Sequence, residues 1–471
     1  MLSGPRSVRL RAGARAVPSC RAEGSRQDSD LQEDHPDETA QFFAFGHTFS
    51  EYPWHHHQLQ ESIGVPEELR YVHSWQCLIL LTAAKILLNQ DQSQPWDEAS
   101  MGELGKLESF VVDSYGSRDP DVTQIFTPSK RLRIKPYLKI PYVVEGGFDM
   151  ERLPMEQLPR IFQEVNRTIS EAVITCLNPT YDYFVCFDEL DRGFDPADDR
   201  YKGMLMGLIL AARAVNQVAR EAGRRFSVIV FLRDDIYQLL RFEDKNKITE
   251  NFLSPIEWDS SKTKWTLQQL MERRFGATLS ETQSLDWGAV FDDQEMPGRQ
   301  PKYRHILDRT FRRPRDMIKF CNEILSAYKR RSGSGGGKFA NEDIIAARPA
   351  YSDYLLRELQ DEVHKHAPDY DDYLEIVKSL DALQFSRDEF VEACGRRKDL
   401  LKAGITPAEI LRLLFEFSVV GYQRTGGVGG GSEYLYRYMD PTVRFDEAAS
   451  NFRVHPGFME AFGLKKFRRG E

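Results

Sequence analysis

Asp188 and Glu189 stand side by side at the end of an apolar run, Tyr183–Phe187, in the stretch YFVCFDELDRGFD. Phosphoanhydride hydrolysis needs a metal to neutralise phosphate charge and a carboxylate to orient or deprotonate the attacking water. Adjacent acids at the C-terminal end of a parallel strand meet both needs, because ligands bind at that edge of such sheets. The expected division of labour gives Asp188 the magnesium ion, through water, and gives Glu189 the nucleophilic water. The competing reading is an acidic strand end that merely opens a loop. Asp191 and Arg192, just beyond, are expected to form a structural pair within that loop and are assigned no chemistry.

A second apolar run, FSVIVFL at Phe226–Leu232, ends in Arg233-Asp234-Asp235. Arg233 is placed to sense a terminal phosphate; the alternative is a surface arginine capping the strand. A third basic element is TFRRPRD, Thr310–Asp316, which opens a helix. From Lys302 to Arg331 there are ten Lys and Arg against three Asp and Glu. Arginine forks suit phosphate oxygens, although a solvated basic helix or a nucleic-acid patch has the same composition.

These groups need elements to hold them. QFFAFG (Gln41–Gly46), Tyr183–Phe187 and Phe226–Leu232 are short, continuously apolar runs, as buried parallel strands are. Glu68–Asn89, Met155–Cys176 and Met204–Ala222 carry apolar residues at helical spacing. Strand, helix, strand with apolar strands predicts a three-layer α/β core. From Thr249 to Arg331 the pattern is helical. Ser332–Gly337 (SGSGGG) reads as a flexible linker. Beyond it lie further helical stretches, among them TPAEILRLLFEFSVV, and two strand-like pieces, EYLYRYM and NFRVHP. That order suggests a winged helix–turn–helix.

The order FDELD, LRDDI, RPRDMIKFCNEI resembles bacterial P-loop ATPases of the STAND and AAA-like type. It is similar to KAP-type NTPases and, in the helical lid, to origin-recognition ATPases. The resemblance runs from about Gln41 to the C-terminus and lies in the order of the motifs. It implies an ATP- and Mg2+-binding core at residues 41–245, a lid at 246–331, a linker at 332–337 and a winged-helix-like domain at 338–471. It also implies that a lid arginine reaches the nucleotide, a role that falls on Arg315 with Arg312 and Arg313 as competitors. Self-association, and a DNA or protein partner for the C-terminal domain, follow from the same resemblance. The rival is a non-hydrolysing scaffold with a degenerate core.

Such a site also needs a glycine loop whose N–H groups cradle phosphates, with a lysine on the β and γ oxygens. No GxxxxGK[ST] precedes QFFAFG. GSGGGK at Gly333–Lys338 follows a basic helix, comes after the acids and lacks the Ser or Thr. The segment Cys20–Asp30, CRAEGSRQDSD, permits codons that spell AGRKGAGKTA when read one base out of register. Residues 1–40 are therefore expected to be out of frame relative to a functional ancestor, with the frame restored before Gln41. As written, the chain is expected to show little magnesium-dependent ATP turnover.

The bulk numbers set outer limits. At 471 residues, 41% hydrophobic and 11% aromatic, the chain supports two or three cored domains. A formal net charge of −9 argues against non-specific nucleic-acid binding by the whole chain. Six cysteines without a CxxC pair read as buried thiols of a reducing cytoplasm. No apolar run is expected to span a bilayer. His55–His57 cannot all face one metal from a regular element and read as a loop beside Trp54.

Overall fold

A computed structural model of the chain describes residues 42–49, 69–126, 158–192, 194, 198–260, 263–279, 285–332, 337–363, 369–401, 404–424, 433–440 and 443–466. The expected out-of-frame segment, the histidine triplet and most of the SGSGGG stretch lie outside these residues. Two compact units are present, Met1–Leu253 and Ser254–Glu471.

The first unit holds a three-stranded parallel sheet in the order β1 (Phe42–Thr48), β2 (Asp182–Asp188), β3 (Phe226–Val230). The register aligns side chains in rows: Phe43 with Tyr183 and Phe226, Phe45 with Val185 and Val228, His47 with Phe187 and Val230. Because side chains alternate along a strand, these rows share one face. The core of the unit is built on that face. The four longer helices of the unit contribute to it: α1 (Val72–Asn89), α2 (Glu98–Tyr115), α4 (Leu158–Cys176) and α5 (Asp199–Glu221), with the short α3 (Val122–Phe126) between α2 and α4. The unit is thus a mixed α/β body with a small parallel sheet.

Local chemistry sets the helix ends. The α2 helix starts at a reciprocal capping box between Asp97 and Ser100 and stops at Gly116, whose φ is 80°. Asp198 accepts the N–H groups of Arg200 and Tyr201, so α5 begins five residues before Met204, where apolar spacing had placed its start. The α1 helix corrects the expectation that no run could span a bilayer. Its 18 residues are long and apolar enough to cross one. Here it is a core helix: Trp75, Leu78, Ile79 and Ile86 are fully buried, and the Trp75 indole donates to the Met204 carbonyl of α5 at 2.9 Å.

The second unit is helical with a small antiparallel sheet. Helices α8 (Leu267–Leu279), α9 (Trp287–Val290) and α10 (Lys302–Leu307) lead to α11 (Pro314–Ser332) and α12 (Asn341–Val363), after the short α6 (Asp234–Leu239) and α7 (Lys245–Phe252) that close the first unit. Then come α13 (Tyr370–Lys378), β4 (Gln384–Ser386), α14 (Arg387–Arg396), α15 (Pro407–Glu416), β5 (Val420–Arg424), β6 (Glu433–Leu435) and β7 (Asn451–Val454). The sheet order is β4-β7-β5-β6. One hydrophobic core runs from Leu267 to Leu464, across the glycine-rich 332–337 stretch. Phe320 of α11 stacks on Tyr351 of α12 at 4.3 Å, and Arg331 pairs through two 2.7 Å bonds with the buried Asp343 carboxylate.

TPAEILRLLFEFSVV is not helical throughout. The helix stops at Glu416, Ser418 takes a φ of 59°, and Val420 opens β5. The β-branched pair Val419-Val420 serves the strand better than a helix end. Gly457 sits where the chain comes close to Arg309 and Leu355. A Cβ there would meet the Arg309 carbonyl oxygen and lie 2.5 Å from Leu355 Cδ2. Gly457→Ala is expected to destabilise the second unit by about 1–3 kcal/mol, the usual cost of overpacking, seen as a lower denaturant midpoint. An unchanged midpoint would show that this backbone can shift at no cost.

Candidate functional site

The C-terminal ends of β2 and β3 bring Asp188, Glu189 and Arg233 to one edge of the parallel sheet. Pairing carries on past the strands, since the Phe231 N–H donates to the Phe187 carbonyl at 2.8 Å. Asp188 is exposed at the tip of β2, and its Oδ1 accepts the Glu189 N–H at 2.7 Å. Glu189 has φ 58°. That left-handed conformation costs a non-glycine residue about 1–2 kcal/mol, so the surrounding structure must impose it.

The imposing contacts lie in the loop that follows. Leu190 and Phe194 are sunk in the core at 1% and 7% exposure. The Arg192 N–H returns to the Glu189 carbonyl and the Phe194 N–H to that of Asp191. From α5, the Tyr201 hydroxyl shares its proton between the carbonyls of Leu190 (2.9 Å) and Arg192 (3.1 Å). Its ring meets Phe194 edge-on at 5.6 Å. Burial, then the nearby Asp191 charge, push the Tyr201 pKa up, so it remains a donor at any physiological pH.

Two ion pairs dress this loop. Arg192 lies 3.4 Å from Glu189, and Arg233 lies 3.5 Å from Asp191. The expected pairing of Asp191 with Arg192 is therefore corrected: each takes a partner further away. In a tight turn, neighbouring side chains point apart, whereas Asp191 faces the end of β3. Arg233 itself starts α6 in an extended conformation and makes no side-chain cap there.

At the opposite end of β2, the Tyr183 hydroxyl donates to the buried Asp91 carboxylate at 2.6 Å. Asp91 also accepts from Ser93 and Gln94. The network anchors the strand that presents Asp188. Its one sequence signal was a tyrosine inside an apolar run.

Arg312, Arg313 and Arg315, expected in a lid, belong to the second unit. Arg315 is the most exposed of the three, at 64%, and faces Glu358 at 3.2 Å. Arg313 pairs with Glu362 at 2.7 Å and lies over the Phe311 ring. Arg312 takes φ 54°, donates to the Asp259 carbonyl and lies over Tyr438. Asp316 is buried and accepts the Phe311 N–H at 3.2 Å. Burial raises its pKa. Asp316 therefore fixes the start of α11.

A magnesium ion carried on a nucleotide asks the protein for one or two carboxylates, with phosphates and water supplying the rest. Asp188 fits that demand. Among the described residues no group of three or more His, Cys, Asp or Glu is assembled that could hold a metal by itself. All five described cysteines are free and buried.

Residues 266–360 match the FunZ-associated C-terminal helical domain. The match begins one residue before α8, ends within α12 and crosses the glycine-rich stretch. It does not reach the parallel α/β region, whose family it leaves open. A comparison with curated proteins finds no match.

Proposed function

We propose that the chain derives from an ATP-binding and ATP-hydrolysing P-loop module of the STAND and AAA-like type. In this reading β1, β2 and β3 belong to a three-layer core, residues 246–331 form the lid and 338–471 the winged-helix-like part. Asp188 holds magnesium through water, Glu189 polarises the attacking water, Arg233 senses the terminal phosphate and Arg315 reaches in from the lid. The observation that carries this is the placement of Asp188 and Glu189 at the C-terminal end of the central parallel strand, with Arg233 just beyond the end of its neighbour. By the same resemblance, the proposal extends to a self-associating cytoplasmic protein whose nucleotide state moves lid and tail.

The matched helical domain is described as FunZ-associated and C-terminal, and here it follows the α/β region. Hydrolysis is impaired in the chain as written, which has no glycine–lysine loop before β1. That observation favours the second reading, a non-hydrolysing scaffold that binds DNA or protein through its tail.

Equilibrium binding of ATP to the full chain with AGRKGAGKTA in place of the corresponding part of Cys20–Asp30 tests the proposal, because the chain as written lacks the phosphate cradle and is expected to bind weakly or not at all. Magnesium is expected to strengthen binding to the chain with the loop, and Asp188→Asn to remove that dependence. Binding that magnesium strengthens equally in both proteins would take Asp188 out of the metal site.

A further inference from the structure

Two arginines of the second unit lie over tyrosine rings with no carboxylate to neutralise them. Arg453 of β7 sits 5.7 Å over the Tyr434 ring of β6, and Arg312, just before α11, sits 6.0 Å over Tyr438. Among the described residues neither guanidinium has an acid within ion-pair distance. Arg312 donates to the Asp259 carbonyl at 3.2 Å, and Arg453 Nε is buried with no acceptor. Local structure fixes both. Tyr436, between the two tyrosines, is buried, and its hydroxyl donates to the Arg453 carbonyl at 3.3 Å. It crosses β5 at Gly421, where a Cβ would lie 2.9 Å from its ring. The Tyr438 N–H donates to Ser418 Oγ at 2.9 Å. Arg312 keeps a left-handed backbone, φ 54°, with its N–H on Thr310 Oγ1 at 3.2 Å. Burial, then the charges of Arg312, Asp308, Arg304 and Arg453, act on the Tyr438 hydroxyl, so these groups share one neighbourhood. Arg304 and Asp308 cancel as a 2.9 Å pair. Arg312 and Arg453 remain as surplus positive charge.

The other face of this part of the unit has the opposite sign. A helix–turn–helix places its second helix in a DNA groove. The second helix of the α14–α15 pair shows Glu409, Arg412 and Glu416 to solvent, and Arg412 is already paired with Glu447. Such a helix repels phosphate. Arginine forks take phosphate oxygens, and unpaired bases stack on tyrosine rings or guanidinium planes. We propose that Arg453 and Tyr434, with Arg312 and Tyr438, form a surface that binds single-stranded nucleic acid, the arginines on phosphates and Tyr434 on a base. The inference deepens the second reading above, choosing nucleic acid over protein for the tail, and needs no nucleotide at the parallel sheet.

The test is fluorescence anisotropy of an oligo-dT strand of about 20 nucleotides, titrated with the full chain at several salt concentrations. Each phosphate contact adds about 0.7 to the slope of log K against log salt for a single strand. Arg312→Gln and Arg453→Gln are each expected to make the slope shallower by about that amount, and Arg453→Lys to keep it. Tyr434→Ala is expected to weaken binding at least about fivefold with the slope unchanged, and Tyr434→Phe to bind as wild type. Arg412→Gln, on α15, is expected to change nothing. Denaturant midpoints of the variants separate loss of contact from loss of fold. No binding of the strand by wild type would overturn the inference and leave a protein as the tail's partner, with the ATPase reading untouched. Binding that Arg412→Gln weakens while Arg312→Gln and Arg453→Gln do not would move the contact to α15 and overturn it too. So would a duplex of the same length bound as tightly as the single strand.

Discussion

A chain in which AGRKGAGKTA replaces the corresponding part of Cys20–Asp30 is expected to hydrolyse ATP with magnesium, and Glu189→Gln to cut that turnover by about two to four orders of magnitude. The loop supplies the backbone N–H cradle and the lysine that the printed sequence lacks. Glutamine keeps the size and the left-handed backbone of Glu189 but cannot take a proton, and a positioned base contributes about 10²–10⁴. Phosphate release under saturating ATP is the measurement. The unaltered chain is expected to give little turnover. Strong turnover from the unaltered chain, abolished by Glu189→Gln, would mean that phosphates are held by some other segment.

The second large effect is on stability in acid. His47 in the first unit and His455 in the second are buried, at 7% and 0% exposure. Burial first, then nearby cations, hold each imidazole neutral, with pKa values lowered to about 3. Lys85 supplies the charge for His47; Arg453 and Arg309 lead for His455. His47 bonds Thr82 at 2.8 Å and stacks on Phe187, one residue from Asp188. His455 lies among Phe311, Tyr438 and Phe458. In the unfolded chain both protonate near pH 6.5. The folded state therefore binds fewer protons below that pH. Its stability is intact above 6.5 and declines as pH falls toward 3. His47 and His455 are each expected to cost about 2 kcal/mol at pH 5, at about 1.36 kcal/mol per pH unit, and His305, which burial and then Arg348 and Arg309 also lower to about 3, adds to the second unit's loss. Denaturant melts at pH 7.5 and pH 5 measure this, and His455→Gln is expected to make the second unit's share shallower, leaving the part due to His305. A melt of that variant as steep in pH as wild type would place the acid sensitivity elsewhere.

Sequence alone made the parallel strands legible, because YFVCF and FSVIV are buried on a face whose rows the register then aligns. It also placed Asp188, Glu189 and Arg233 at one sheet edge, since strand ends in a parallel sheet point the same way. What it could not supply were contacts between residues distant in the chain. Asp191 was read against its neighbour Arg192, and only tertiary packing turns it toward Arg233. The early start of α5 was carried by Asp198, a cap that apolar spacing does not record. Helix and strand in TPAEILRLLFEFSVV could not be parted by periodicity, because short apolar runs suit both. The left-handed backbone of Glu189 has no sequence signature, since it is imposed by Tyr201 and the buried Leu190.

The stacked Phe320–Tyr351 pair and the Arg331–Asp343 pair have a practical consequence. They span the glycine-rich stretch where composition alone would divide the chain, so a fragment beginning at Lys338 would lose the part of a shared core that lies before it and leave the ring of Tyr351 and the carboxylate of Asp343 without these mates. The natural cut is at Ser254, where the second compact unit begins. Any trial of DNA or protein recognition by the tail is best made with the helices of the FunZ-associated domain still attached, because they form part of the floor on which β4, β5, β6 and β7 rest.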